Sequence, residues 1–263
     1  MKLLNTDIDM DAFFSRLNSA PERIVLLDYD GTLAPFTEDP AKAFPYPGVN
    51  DVLDRLMEVP GLRVVVVTGR WIKSLEPLLE LRRKPEIWGS HGLERLMPDG
   101  AYEVEPIHED ALEGLVAADE WVDSAGFSGR VERKPGSVAL HWRGLDEAVR
   151  RGIEDAVRSK WELMAKAWNL QLKEFDGGIE LRAPGRNKGD AVSTVCREMG
   201  LGAQLAYFGD DFTDEDAFQA LKGRGLGVLV RETFRPTAAD LWLKPPGELL
   251  DFLGHWIPER YGG

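Results

Sequence analysis

The chain has 263 residues, 43% hydrophobic and 29% charged, enough for one large domain or two modest ones and too apolar for intrinsic disorder. Its 45 acidic against 32 basic side chains give a net charge of −13, which argues against a broad footprint for nucleic acid or an anionic membrane. The single cysteine, Cys196, excludes an intramolecular disulfide framework and suits a reducing compartment. Met1 to Phe14 has no apolar run of signal-peptide length, and no stretch reaches the roughly 18 apolar residues of a membrane span, so a cytosolic protein with no membrane partner is expected.

No repeat or low-complexity tract stands out, and short apolar runs alternate with helical periods, the pattern of an α/β class. Ile24 to Leu27 reads as a strand running into the polar segment Asp28-Tyr29-Asp30-Gly31-Thr32-Leu33, which cannot continue a buried strand. A helical period follows over Val49 to Met57. The β-branched run Val64 to Val67 then ends at Thr68-Gly69-Arg70. Four apolar residues without alternation mark a parallel strand covered on both faces. The period then changes. Residues 109–124 read as a helix, Arg130 to Lys134 and Ser137 to Arg143 as strands around Pro135-Gly136, and 146–167 as a long helix. Leu170 to Phe175 and Gly178 to Leu181 read as two more strands around Asp176-Gly177-Gly178. This αββαββ order with hairpin turns predicts an antiparallel α+β module inserted into a parallel α/β core. Glu105-Pro106 and Ala183-Pro184-Gly185 would punctuate its edges, giving a core of 1–105 and 185–263 and an insert of 106–184. The core pattern resumes with a helix over Gly189 to Met199, a strand over Leu205 to Phe208, Gly209-Asp210-Asp211, a helix from about Asp214, and a strand over Leu226 to Val230. Trp121, Trp161 and Trp168 on the module's helices read as packing, and Cys196 as a small apolar residue.

Ligands of an open parallel sheet bind beyond the carboxyl ends of its strands. Here those ends carry Asp28 and Asp30, then Thr68, then Asp210 and Asp211 with Asp214 close behind. Each Asp alone could be a turn or a helix cap. Several carboxylates converging on one sheet edge repel one another unless a cation neutralises them. With no His or Cys among them, the set fits Mg²⁺ better than zinc.

At these residues the chain resembles the haloacid-dehalogenase-type phosphatases: Asp28 to Leu33 is similar to their first motif, Thr68-Gly69-Arg70 to the second, Lys188 in Asn187-Lys188-Gly189 to the third, and Gly209 to Glu215 to the fourth. The resemblance implies a Rossmann-like parallel-sheet hydrolase core with an inserted α+β cap. It implies Asp28 as nucleophile forming an aspartyl-phosphate, and Asp30 as general acid and base whose backbone carbonyl also ligates the metal. Thr68 and Lys188 would hold the phosphoryl group, with Lys188 keeping Asp28 ionised, and Arg70 could touch phosphate. Asp210 would be the direct metal carboxylate, with Asp211 and Asp214 acting through water or as anchors.

Within the insert, Glu132, Lys134, Ser137, His141 and Arg143 alternate along two adjoining strands, and Glu180 lies on a further one. Such alternation is either the solvated face of a half-buried sheet or a surface for sugar hydroxyls. The string Val131 to Arg143, with Gly89 to Glu94, Gly178 to Arg182 and Asn187 to Gly189, resembles the trehalose-6-phosphate phosphatase family, with Thr68 where that family usually has Ser and Trp142 where Tyr is more frequent. The resemblance implies Glu132, Lys134 and Glu180 as sugar contacts, with Ser137, His91 and Asn187 in the matching segments. The expected reaction is Mg²⁺-dependent hydrolysis of trehalose 6-phosphate. The alternatives are another glycosyl phosphate such as glucosylglycerol phosphate, a sugar phosphomutase with the same cap type, and a sugar-phosphate sensor.

Overall fold

The computed structural model describes residues 1–37, 39–175 and 177–258. Asp176, in the Asp-Gly-Gly turn expected from the sequence, lies outside the described residues. The chain divides into two compact units, Met1–Glu103 with Arg186–Gly263, and Val104–Gly185.

The first unit begins with β1 (Lys2–Leu3), α1 (Met10–Ser19), β2 (Arg23–Leu27), α2 (Val49–Glu58), β3 (Leu62–Val67), α3 (Ile72–Leu75), β4 (Glu86–Gly89), β5 (Glu94–Leu96) and β6 (Tyr102–Val104). The second unit supplies α4 (Glu109–Ser124), β7 (Val131–Lys134), β8 (Ser137–His141), α5 (Glu147–Ala167), β9 (Gln171–Phe175) and β10 (Gly178–Arg182). The first resumes with α6 (Lys188–Glu198), β11 (Gln204–Gly209), α7 (Glu215–Leu221), β12 (Leu226–Val230), β13 (Leu241–Leu243) and α8 (Gly247–Gly254).

The sheet of the first unit runs β1-β13-β12-β11-β2-β3-β4-β5-β6. The six strands from β13 to β4 are parallel, while β1 and β5 pair antiparallel at either side. From β2 the chain winds one way through β3 and β4, and from β11 the other way through β12 and β13. The β2–β11 boundary is therefore the topological switch point, the place where a doubly wound sheet opens a crevice beyond its strand ends. The period of two distributes one strand between two cores: Val25 and Leu27 pack with Phe208, Leu53 and Phe252 on one face, and Ile24 and Leu26 with Val192, Val195 and Phe218 on the other. That double burial explains the unalternating apolar runs.

The second unit is a four-stranded antiparallel sheet, β7-β8-β10-β9, with α4 and α5 packed on it. Val138, Leu140, Ile179 and Leu181 point to the helices and bury against Leu115, Val122, Val157 and Trp161. Trp161 is fully buried, whereas Trp121 and Trp168 are half-buried against the same core. Cys196 is half-buried rather than enclosed, on the rim of the second core.

Expected and observed elements coincide over the central strands and differ at the margins. Residues 142–143 leave β8, because Trp142 N–H turns to donate to Gly177 O. The helix expected from Asp214 starts at Glu215 after one tight turn over Phe212–Asp214. Strands β1, β5, β6 and β13, at two or three residues each, the parallel strand β4, and helices α1, α3 and α8 were not expected from the sequence.

Candidate active site

Asp28 follows β2 directly, Asp210 follows β11, Thr68 follows β3, and Lys188 opens α6. Parallel pairing of β11 with β2 and of β2 with β3 sets the first three side by side at one sheet edge. Lys188 is aimed by a capping box in which Asn187 Oδ1 accepts from Asp190 N–H at 3.0 Å and Asp190 Oδ2 accepts from Asn187 N–H at 2.9 Å. Its ammonium then donates to Asp28 Oδ1 at 2.6 Å and Asp214 Oδ1 at 2.7 Å. Asp214, with no exposed surface, also accepts from Tyr207 O–H at 2.5 Å and from the backbone N–H groups of Asp210 at 3.0 Å and Asp211 at 2.9 Å. Both of its oxygens thus carry two donors, so it holds the loop rather than offering a lone pair to an ion. Tyr207 was hidden to sequence reasoning inside an apolar strand. Its place two residues before Gly209 was the only available signal.

Gly31 makes the approach possible. Its φ is +84°, and a Cβ there would lie 2.2 Å from Asp210 Oδ2, so the Asp210 carboxylate rests where any other residue would carry a side chain.

The electrostatics follow from three buried carboxylates sharing one ammonium. Oxygens of Asp28, Asp210 and Asp214 lie within 4.8 Å of one another, a spacing at which two unit charges repel by about 3 kcal/mol at an effective dielectric of ~20. Burial, resisted by Lys188 and reinforced by Asp214, pushes the Asp28 carboxyl up to about 7. Burial, with Asp28 and Asp214 adding to it, holds Asp210 well above the usual carboxylate range. Burial works against the Lys188 ammonium, but Asp214 and Asp28 outweigh it and raise its pKa. Asp210 Oδ1 is buried without a hydrogen-bond partner, an orphaned acceptor beside Asp28. An all-oxygen donor set with excess negative charge and a vacant lone pair fits a hard divalent cation.

The remaining predicted residues divide by environment. The Asp30 carboxylate is held by both arms of Arg70, Nη2 to Oδ1 at 2.6 Å and Nε to Oδ2 at 2.7 Å. Arg70 also donates to Pro40 O at 2.8 Å, so its guanidinium is committed to Asp30 and the loop after β2. Thr68 is fully buried, and its Oγ1 accepts from Arg70 N–H at 3.1 Å, which leaves its hydroxyl proton to be donated elsewhere. Asp211 is half-buried at the rim. Ser90 and His91 have φ of 47° and 58°. This left-handed pair is tied down by Ser90 N–H to Arg70 O at 2.8 Å, His91 N–H to Thr68 O at 3.0 Å, and Ser90 O–H to the buried carboxylate of Glu94 at 2.6 Å. The His91 ring lies against Gly69, where an added Cβ would come 2.6 Å from Cε1. Glu94 was given no role in the sequence reading because its partners are spread along the chain, from Ile72 N–H at the start of α3 through Ser90 O–H to Tyr102 O–H on β6.

In the second unit, Arg133 faces the helix layer, pairing with Asp119 and Asp123 of α4 at 2.7 and 2.8 Å. Its neighbours Glu132 and Lys134 therefore face the other side. There Lys134 Nζ lies 2.6 Å from Glu180 Oε1 and 4.0 Å from Glu132 Oε2, Ser137 O–H donates to Glu180 Oε1 at 2.7 Å, and His141 Nε2 lies 3.2 Å from Glu132 Oε2. Burial opposes the Lys134 charge, but Glu180 and Glu132 prevail and raise its pKa. Glu180 and Ser137 are buried as well, so this is a charged cluster within a sheet face and not a solvated surface.

The motif residues at the ends of parallel strands and at the start of α6, with an αββαββ insert between the second and third motifs, define the haloacid-dehalogenase fold. A family model described as trehalose-phosphatase matches residues 26–244, and the chain belongs to that family of phosphomonoester hydrolases. It is 29% identical over 254 residues to trehalose-phosphate phosphatase B of Arabidopsis thaliana, an alignment covering 88% of this chain and 65% of that protein. The chain thus spans just under two thirds of the length of that relative. Its fold matches the C-terminal domain of trehalose-6-phosphate phosphatase from C. albicans with a TM-score of 0.80 at 21% identity, covering 98% of this chain and 99% of that one. The trehalose-6-phosphate phosphatase of Aspergillus fumigatus matches with a TM-score of 0.67 at 25% identity, covering 96% and 98%. Among the described residues, no helix is long and apolar enough to cross a membrane.

Proposed function

We propose that the chain hydrolyses trehalose 6-phosphate to trehalose and phosphate through a phosphorylated Asp28, with Mg²⁺ as cofactor. The observation that carries this reading is the pairing of Asp28 with Lys188 beside the unpartnered Asp210 oxygen at the switch point. Asp28, Asp210 and the backbone carbonyl of Asp30 would hold Mg²⁺, with Asp211 on the rim, while Asp214 supports the loop. The ion, when bound, neutralises charge on the phosphoryl oxygens and on the nucleophile.

In the first step an Asp28 oxygen forms a bond to phosphorus as the bond to the sugar oxygen breaks, and Asp30 gives its proton to the departing alkoxide. In the second, water attacks phosphorus, Asp30 accepts its proton, and phosphate leaves with Asp28 restored. Asp30 serves in both steps only if Arg70 lets go of it, so the Arg70–Asp30 pair describes a resting arrangement. Thr68 O–H and the Lys188 ammonium hold the phosphoryl oxygens, and the Lys188 charge favours the ionised Asp28. His91, fixed against Gly69, borders the same loop as a phosphate contact. Asn187 acts through the helix start that aims Lys188.

Recognition of the sugar is assigned to the second unit as the substrate-specificity cap. Glu132, Lys134, Ser137 and Glu180 offer acceptors and donors in fixed pairs, which suit vicinal hydroxyls. Phosphate release from a panel of sugar phosphates, with and without Mg²⁺, tests the reading. Trehalose 6-phosphate is expected to be hydrolysed at least tenfold faster than monosaccharide phosphates, and only with the metal. Preference for a monosaccharide or glucosylglycerol phosphate overturns the substrate, and an isomerised sugar phosphate without released phosphate identifies a mutase.

A further inference from the structure

Arg235 lies outside every motif and on the far side of α7 and β12 in the chain, yet it is buried at 8% exposure against the acidic loop. Its Nε donates to Asp210 O at 3.1 Å and its Nη2 to Asp211 O at 2.6 Å. Its Nη1 donates to Glu215 Oε1 at 2.5 Å and to Pro236 O at 2.9 Å, and its guanidinium carbon sits 4.8 Å from the centre of the exposed Phe212 ring. Glu215 in turn accepts from Thr237 O–H at 2.8 Å and Ala238 N–H at 2.7 Å, so the segment after Arg235 is sewn to the start of α7.

The same residues are gripped from two sides. Asp214 takes the N–H groups of Asp210 and Asp211, and Arg235 takes their carbonyls. A loop whose donors and acceptors are both fixed cannot rotate its peptide planes, and it is this rotation that would swing the Asp210 carboxylate away from Asp28. The loop needs the restraint, because like charges at Asp28, Asp210 and Asp214 push it apart when no cation is present. A planar fork with five N–H donors can meet four acceptors at once, and an ammonium on a flexible stem cannot. Arg231 Nη1 bears on Asp210, donating to its carbonyl at 3.4 Å and lying 3.9 Å from Oδ2, contacts too long to replace the grip of Arg235 on both carbonyls.

We propose that Arg235 is a positioning residue that pre-organises the metal-binding loop, setting the affinity of Asp210 and Asp28 for the divalent cation without touching substrate. The inference rests on the metal reading given under Proposed function and extends it to a residue that no motif contains.

The test is calorimetric titration of Mg²⁺ into the full chain for the wild type, Arg235→Lys and Glu215→Gln, with thermal unfolding in chelator and turnover against Mg²⁺ concentration. Arg235→Lys is expected to weaken Mg²⁺ binding by about 10–100-fold. Its kcat at saturating Mg²⁺ should stay close to that of the wild type, while its metal-free unfolding temperature should fall modestly, because the loop loses hydrogen bonds that hold it against like-charge repulsion. Glu215→Gln leaves Arg235 in place but removes its charged partner, and it should weaken Mg²⁺ by about threefold or more; it stands in if Arg235→Lys does not fold. Undiminished Mg²⁺ affinity in a folded variant overturns the clamp, as does a fall in metal-free stability with no loss of affinity. A wild type that binds no Mg²⁺ removes the functional reading and the clamp together, whereas strong wild-type binding matched by the variants removes the clamp alone.

Discussion

Replacing Lys188 by Met keeps an unbranched apolar stem of similar length and deletes the ammonium that Asp28 and Asp214 share. Lys188 and both carboxylates it binds have side chains at most 4% exposed, with contacts of 2.6 and 2.7 Å. Breaking a buried ion pair from one side leaves uncompensated charge and costs about 3–5 kcal/mol. For a unit of this size each kcal/mol is about 2–4 °C, so the metal-free unfolding temperature should fall by roughly 6–20 °C. The cost arises from stranded charge and not from lost packing, so a second substitution that removes a stranded carboxylate should return part of it. Asp28→Asn in the Lys188→Met background is therefore expected to be more stable than Lys188→Met alone, with a coupling of about 1–3 kcal/mol across the cycle. Urea unfolding of the four proteins in chelator measures this without reference to activity. A loss below about 1 kcal/mol for Lys188→Met, or additivity within about 0.5 kcal/mol, would refute the reasoning.

Asp28→Asn alone should release no phosphate while keeping the wild-type circular dichroism, because Lys188 retains Asp214; undiminished release would remove Asp28 as nucleophile. Mg²⁺ should raise the unfolding temperature in a saturable way, by the equivalent of about 2.7 kcal/mol at a hundredfold excess over Kd, and chelation should reverse it; no shift would count against the metal site. Gly31→Ala combines a φ of +84° with a Cβ 2.2 Å from Asp210, so calorimetry should show a loss of Mg²⁺ affinity of at least about tenfold in protein that still folds. Glu180→Gln should raise the KM for trehalose 6-phosphate by about tenfold or more while leaving p-nitrophenyl phosphate turnover within a few-fold, since the small ester has no sugar to bind. Equal effects on both substrates would place Glu180 in general structure.

What the sequence determined by itself is what local chemistry dictates. Four apolar residues without alternation, bounded by turn residues, fit a strand buried on both faces, so the runs at 24–27, 64–67, 205–208 and 226–230 pointed to the parallel sheet. The acids and hydroxyl at their ends, with Lys188 at a helix start, marked the candidate site, and alternation at 132–143 marked the two-sided strands of the insert. Tertiary structure alone decided how those groups share their bonds. Asp214 is a fourfold acceptor and not an open ligand, Asp30 is clasped by Arg70 forty positions later, and Arg235 reaches back to carbonyls 24 and 25 residues earlier. No period or motif encodes such pairings, because each depends on where β-strands far apart in the chain come to lie side by side. The same holds for β1, β5, β6 and β13: at two or three residues they are too short to carry a period, and only the neighbouring strand makes them strands.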